Sequence, residues 1–177
     1  MIARSLFTMA TLAAMTVFAG CKSEGPAPFE TPEATFGTIK KAILGRDADL
    51  MWDGLASSWR VVFEEGRQSL LAQPQEQKEQ IAKDSGIGVS DIATLDAKGF
   101  FRVYFNMKKK ETLQSSSPEI ISQKVELIEG STVIKVEYDG GDPSKAVKSR
   151  LIYKMGTDEF SIDLVKTEGK WLMDAKK

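Results

Sequence analysis

The sequence predicts an α+β fold: helices first, then an antiparallel sheet of four or five strands with one apolar and one wet face. Three observations predict it. From Thr31 to about Met107, apolar residues recur at the three- and four-residue spacing of an amphipathic helix. Beyond Pro118 the period is two, as in a half-buried strand. The later apolar stretches are separated by turn-forming segments, "DGGDPSK", "GTDE" and "KTEGKW". Helices followed by strands place the helices together on one face of the sheet.

Taken in order, Thr31 suits a helix cap, Pro32 the first helical position and Glu33 the positive end of the helix dipole. Phe36, Ile39 and Ile43 continue that helix until Gly45. Asp47 caps a second helix carrying Leu50, Met51 and Leu55. Ser57 or Ser58 opens a third, with Trp59, Val62, Phe63 and Leu70 on one stripe and Arg60, Glu64, Arg67 and Gln68 on the other face. Pro74 interrupts it. Residues 75–84 are nearly devoid of apolar side chains and read as an exposed helix or a mobile excursion. Ser90 reads as a cap before Ile92 and Leu95. "GFFRVYFNMKKK", 99–110, fits strand and helix alike; a cap at Asp96 and a C-terminal place for Lys108, Lys109 and Lys110 favour a helix. "QSSSP", 114–118, reads as a linker. Val125 and Leu127 then alternate with Lys124 and Glu126, Gly130 turns, and Ile134, Val136 and Tyr138 complete a hairpin. Leu151, Tyr153 and Met155 form the next strand, then Phe160, Ile162 and Leu164, then Trp171 and Met173.

Before this domain, Arg4 is followed by Leu6–Ala19, an uncharged stretch shorter than the roughly 20 residues a membrane span needs. With the small pair Ala19–Gly20 it reads as an export signal. Cys21, the only cysteine, follows at once, so "VFAGCKSEG" resembles the lipobox of bacterial lipoproteins. The chemistry fits: a peptidase needs small side chains before the bond it cuts, and a thiolate can be alkylated by a lipid donor. The expected organisation is a signal peptide over 1–20, a flexible Pro- and Gly-rich tether over 21–30 and a folded domain over 31–177. Cys21 is the expected lipidation site, and the bilayer, reached through the acylated Cys21, the expected partner. The resemblance implies an exported, lipid-anchored protein. Lys22 follows the cysteine where inner-membrane lipoproteins of Gram-negative bacteria carry aspartate, which points to the periplasmic face of the outer membrane.

Two stretches carry a second resemblance. "TPEATFGTIKKAILGRDADLMWDGLASSW" resembles the opening of the nuclear transport factor two-like superfamily, and "LVKTEGKWLMD" resembles the closing hairpin of its exported lipoprotein branch. Residues 75–117 are longer than a minimal member has. The resemblance implies a cone, a curved sheet around N-terminal helices with a pocket at its wide end. It also implies a range of functions, from steroid isomerases, dehydratases and epoxide hydrolases to modules without catalysis.

Composition narrows the chemistry. The chain has 24 basic and 25 acidic side chains, a formal net charge of −1, so nucleic acid is not an expected partner. It has no histidine, which removes the commonest general base and any Ser/His pair. With Cys21 acylated, thiolate chemistry and thiolate zinc sites go too; no phosphate-binding glycine loop is present, and no cofactor or metal is expected. Asp49 and Asp53, four apart on one helical face, read as a solvated pair. In the isomerase relatives a tyrosine donor and an aspartate base face the pocket. Tyr138 and Tyr153 lie on the apolar faces of their strands, but Asp163 alternates to the wet face and no base accompanies the phenols. Tyr138, Tyr153 and Trp59 are the expected pocket-lining side chains, with no catalytic residue assigned. The expected function is a non-catalytic head that binds a small molecule or an envelope protein; the alternative is an isomerase, lyase or hydrolase of the steroid isomerase type using a tyrosine and a carboxylate.

Overall fold

The computed structural model describes residues 26–175. Seven helices precede a four-stranded antiparallel sheet among these residues. The chain is α+β, as its pattern predicts, and Cys21 with the 1–20 segment lies outside the described residues.

Helix α1 (Pro32–Gly45) starts where Thr31 Oγ1 accepts the Ala34 N–H at 3.1 Å, and it closes on Arg46, whose φ of 57° places a non-glycine residue in the left-handed region. The cap therefore falls one residue beyond the expected stop at Gly45. Helix α2 (Ala48–Asp53) begins at Asp47, whose carboxylate accepts the Leu50 N–H. Leu55 is not part of it; the helix ends at Asp53 and Leu55 bridges Met173. Helix α3 (Ser57–Leu71) follows, then α4 (Gln75–Ser85), which settles the exposed-or-mobile alternative in favour of a helix anchored by Ala82. Helix α5 (Val89–Thr94) starts after Gly88, whose N–H is accepted by Asp91; Ser90, expected as the cap, lies inside the helix.

Helix α6 (Ala97–Ser115) confirms the helical reading of 99–110, and Asp96 caps it by accepting the Gly99 N–H at 2.6 Å. It runs five residues past Lys110, so the lysines do not sit at its C-terminal end. The linker shrinks to Ser116 and Ser117. Helix α7 (Pro118–Glu129) corrects the expected strand at Val125 and Leu127. The Ser117 hydroxyl accepts the Ile120 N–H, Pro118 fills the first helical position and Glu119 the first turn. Alternation over four residues loses to these start signals because Ile120, Ile121, Lys124, Val125, Leu127 and Ile128 also fall on one helical arc.

The sheet is a meander of β1 (Thr132–Tyr138), β2 (Lys148–Met155), β3 (Asp158–Thr167) and β4 (Lys170–Met173). A bulge between Val133 and Lys135 breaks the β1 alternation, so Val133 and Val136 meet the core while Ile134, expected on the apolar face with Val136 and Tyr138, stays 50% exposed. The register stacks Val136, Leu151 and Ile162 in one row and Tyr138, Ser149, Leu164 and Met173 in the next. Phe36 of α1 covers this face together with Trp171. Thr35 fixes the helix there by donating its hydroxyl to the Trp171 carbonyl at 2.7 Å. The free edge of β4 is covered: Trp171 N–H donates to Phe29 O, Met173 N–H to Gly54 O, and Ala56 N–H to Met173 O.

Helices α2, α3 and α6 share an aromatic cluster of Trp52, Trp59, Phe63, Phe101 and Phe105, and a smaller cluster of Leu70, Ala82 and Ile92 extends it through α4 and α5. On α3, the Arg67 guanidinium holds Glu64 down to about 2, with Gln68 assisting. Because the folded carboxyl lies below its usual 4.5, this contribution is present above pH 4.5 and lost as pH falls toward 2. In Arg67→Gln, Glu64 is expected to titrate close to its usual value, as checked by carbon-13 NMR.

Candidate functional site

Strand alternation separates the expected site residues. Tyr138 and Tyr153 both lie on the apolar face, one opposite Ser149 and the other four residues along β2, about 13 Å away at 3.3 Å per residue. The Tyr138 ring meets Trp171 edge-on at 5.9 Å, while Tyr153 lies between Phe36 and Phe160 at 4.8 and 5.6 Å. Burial pushes both phenols above the ordinary tyrosine value, with Glu33 adding to the effect on Tyr138. Trp59 belongs to another layer, stacked on Phe63, and its buried Nε1 has no partner among the described residues. The structure does not bring these three side chains to one cavity.

A second orphan lies on the apolar face of the sheet. Ser149 is only 6% exposed and its Oγ finds no partner among the described residues. An unsatisfied buried hydroxyl costs about 1–3 kcal/mol, whereas an apolar replacement leaves nothing unpaired. Ser149→Ala is therefore expected to raise the unfolding free energy by about 1 kcal/mol, as read by urea denaturation.

On the opposite face, register collects charged side chains scattered in sequence. Glu137, Arg150 and Asp163 pair directly across β1, β2 and β3, and Asp174 joins beside Asp163, to whose carbonyl it donates its N–H. With Asp139 and Lys148 they line an open groove of about 490 Å³. Tyr138 and Ser149 also border it, but alternation turns their side chains to the other face. Arg150 Nε donates to Asp163 Oδ1 at 2.8 Å, and Asp163 raises the guanidinium's pKa. Lys135, by hydrogen bonding at 2.8 Å, holds Glu137 below the usual carboxylate range. Ser58 at the start of α3 donates its hydroxyl to Asp174 and accepts the Ala175 N–H, so a helix terminus positions one end of the groove. The groove offers fixed charges of both signs, suited to a polar ligand.

None of the family models, curated proteins or solved structures compared with this chain matches it.

A second hollow, about 360 Å³, lies between α3, α4 and α6, lined by Leu70, Ile81, Phe100, Val103 and Met107 with Gln73 and Gln77 at its rim. Asp49 and Asp53, read from sequence as a solvated pair, are held by the protein's own cations. Lys98 reaches both, at 3.0 and 3.6 Å, and Arg102 Nε donates to Asp49 at 3.0 Å. These bonds, led by Arg102, lower the Asp49 pKa. Among the described residues, no group of three or more Cys, Asp or Glu is placed to hold a metal ion, and no helix is long and apolar enough to cross a membrane.

Sequence reasoning missed the groove because its members read individually as wet strand positions. Only the cross-strand register aligns them, and no local signal encodes that register in full.

Proposed function

We propose that this chain is a cell-envelope lipoprotein, anchored through acylated Cys21, whose folded head is a non-catalytic binding module with the charged groove as its ligand site. The resemblance of "VFAGCKSEG" to a lipobox supports the anchor, and the resemblance to the nuclear transport factor two-like superfamily supports a binding head. The observation that carries the binding reading is the separation of the groove's carboxylates from the phenols by the sheet; Glu33, the carboxylate that raises the Tyr138 pKa, is exposed in the first turn of α1. A steroid isomerase-like reaction needs a tyrosine donor and a carboxylate base aimed at one cavity. Here Tyr138 and Tyr153 are packed against Trp171, Phe36 and Phe160, while Glu137, Asp163 and Asp174 lie across the sheet. The groove's ion-paired groups recognise charge.

Native mass spectrometry of protein extracted from its own membrane tests both parts. The expected species begins at Cys21, carries acyl mass, and retains a small polar molecule that Arg150→Ala releases. A chain beginning at Met1 overturns the anchor. A ligand retained equally by Arg150→Ala overturns the assignment to the groove.

A further inference from the structure

The two edges of the sheet are treated differently. The β4 edge is sealed by backbone hydrogen bonds from Phe29 and the 54–56 segment, whereas on the outer edge of β1 the backbone hydrogen bond found among the described residues is the turn contact of Gly141 N–H to Tyr138 O, which leaves the Val136 groups open. Such an edge is a template for another strand. Asp139 N–H donates to Lys148 O, so the odd positions at this end of β1 direct their backbone groups toward β2, and Val136 and Tyr138 direct theirs outward. We infer that β1 is a self-recognition edge, pairing antiparallel with β1 of a second copy about a two-fold axis at Val136.

Charge selects that occupant. Lys135 and Glu137 project from one face of the strand, 63% and 45% exposed, and pair with each other at 2.8 Å. A two-fold axis at Val136 sets Lys135 opposite Glu137 of the second copy, and Glu137 opposite its Lys135, so both cross-strand contacts are attractive. Strands lacking this alternation meet at least one like or unpaired charge, so the residues that discourage random edge pairing favour pairing with self.

The test is sedimentation velocity on the full chain in non-ionic detergent, with micelles in large excess over protein. The wild type is expected to show a monomer–dimer equilibrium. Lys135→Glu alone and Glu137→Lys alone each turn both attractive contacts repulsive and are expected to weaken the dimer about tenfold or more. An equimolar mixture of these two variants restores the complementarity between unlike chains, so a heterodimer with near-wild-type affinity is expected. In-strand pairing within one chain cannot produce that rescue. A strictly monomeric wild type overturns the inference, as does a dimer indifferent to both charge reversals or a mixture that fails to recover association. Val136→Cys provides an independent reading: H-bonded antiparallel partners lie about 5.5 Å apart at Cα, within disulfide range, so mild oxidation is expected to give a linked dimer. Its absence, judged against an otherwise unaltered chain, counts against the register.

Discussion

Replacing Leu151 with alanine is expected to lower the unfolding free energy by about 2–5 kcal/mol, the cost of losing a fully buried leucine together with the cavity left behind. Leu151 is 0% exposed and sits in β2 with Val136 on one side, Ile162 on the other and Phe36 above. The site cannot readily collapse. Both neighbouring strands are fixed by hydrogen-bonded ladders, and α1 is held at its distance by the Thr35 hydroxyl on the Trp171 carbonyl. A loss near the upper end of the range is therefore expected. At about 2–4 °C per kcal/mol for a domain of this size, the melting temperature falls by roughly 5–20 °C. Val147→Ala, one residue before the same strand and 56% exposed, is expected to change stability by no more than about 0.5 kcal/mol. Urea and calorimetric unfolding of the two variants side by side give the comparison. A Leu151→Ala loss as small as that of Val147→Ala would mean that α1 does not close over the sheet as described.

What the sequence made legible is what short-range chemistry controls. Thr31, Asp47 and Asp96 announce their helices because each side chain accepts an N–H three residues ahead, a contact contained within the motif. The last two hairpins are readable for the same reason: Gly156 and Gly169 occupy positive φ at tight turns. Helix α7 was concealed because Lys124–Leu127 satisfies two periods at once, and "SSSP" signals both a linker and a cap followed by an N1 proline. The bulge at Ile134 and the sealing of β4 by Phe29 depend on segments far away in the chain. The candidate site follows that division. Alternation placed Tyr138 and Tyr153 on the apolar face, but whether that face is open depends on Phe36 and Trp171 filling it. Alternation also placed Asp163 on the wet face, yet its ion pair with Arg150 emerges only from the β2–β3 register.

Cys21→Ser is expected to move the protein from the membrane to the soluble exported fraction while leaving the head as stable as before. One acyl chain binds a bilayer only marginally, with an association constant on the order of 10⁴ M⁻¹, and each buried methylene contributes about 0.8 kcal/mol. The two or three chains of a mature bacterial lipoprotein would make release negligible, whereas a serine in place of the thiol accepts none. The effect is thus close to all-or-none. The head is not expected to respond: among the described residues the first buried side chain is Phe29, packed against Ala56 and Leu172, eight residues after the cysteine. Fractionation with a carbonate wash, paired with urea unfolding of both forms, separates anchoring from folding. A serine variant that still sediments with membranes would mean that the head, or an associated protein, supplies the attachment. A wild-type chain in the soluble fraction would remove the lipid altogether.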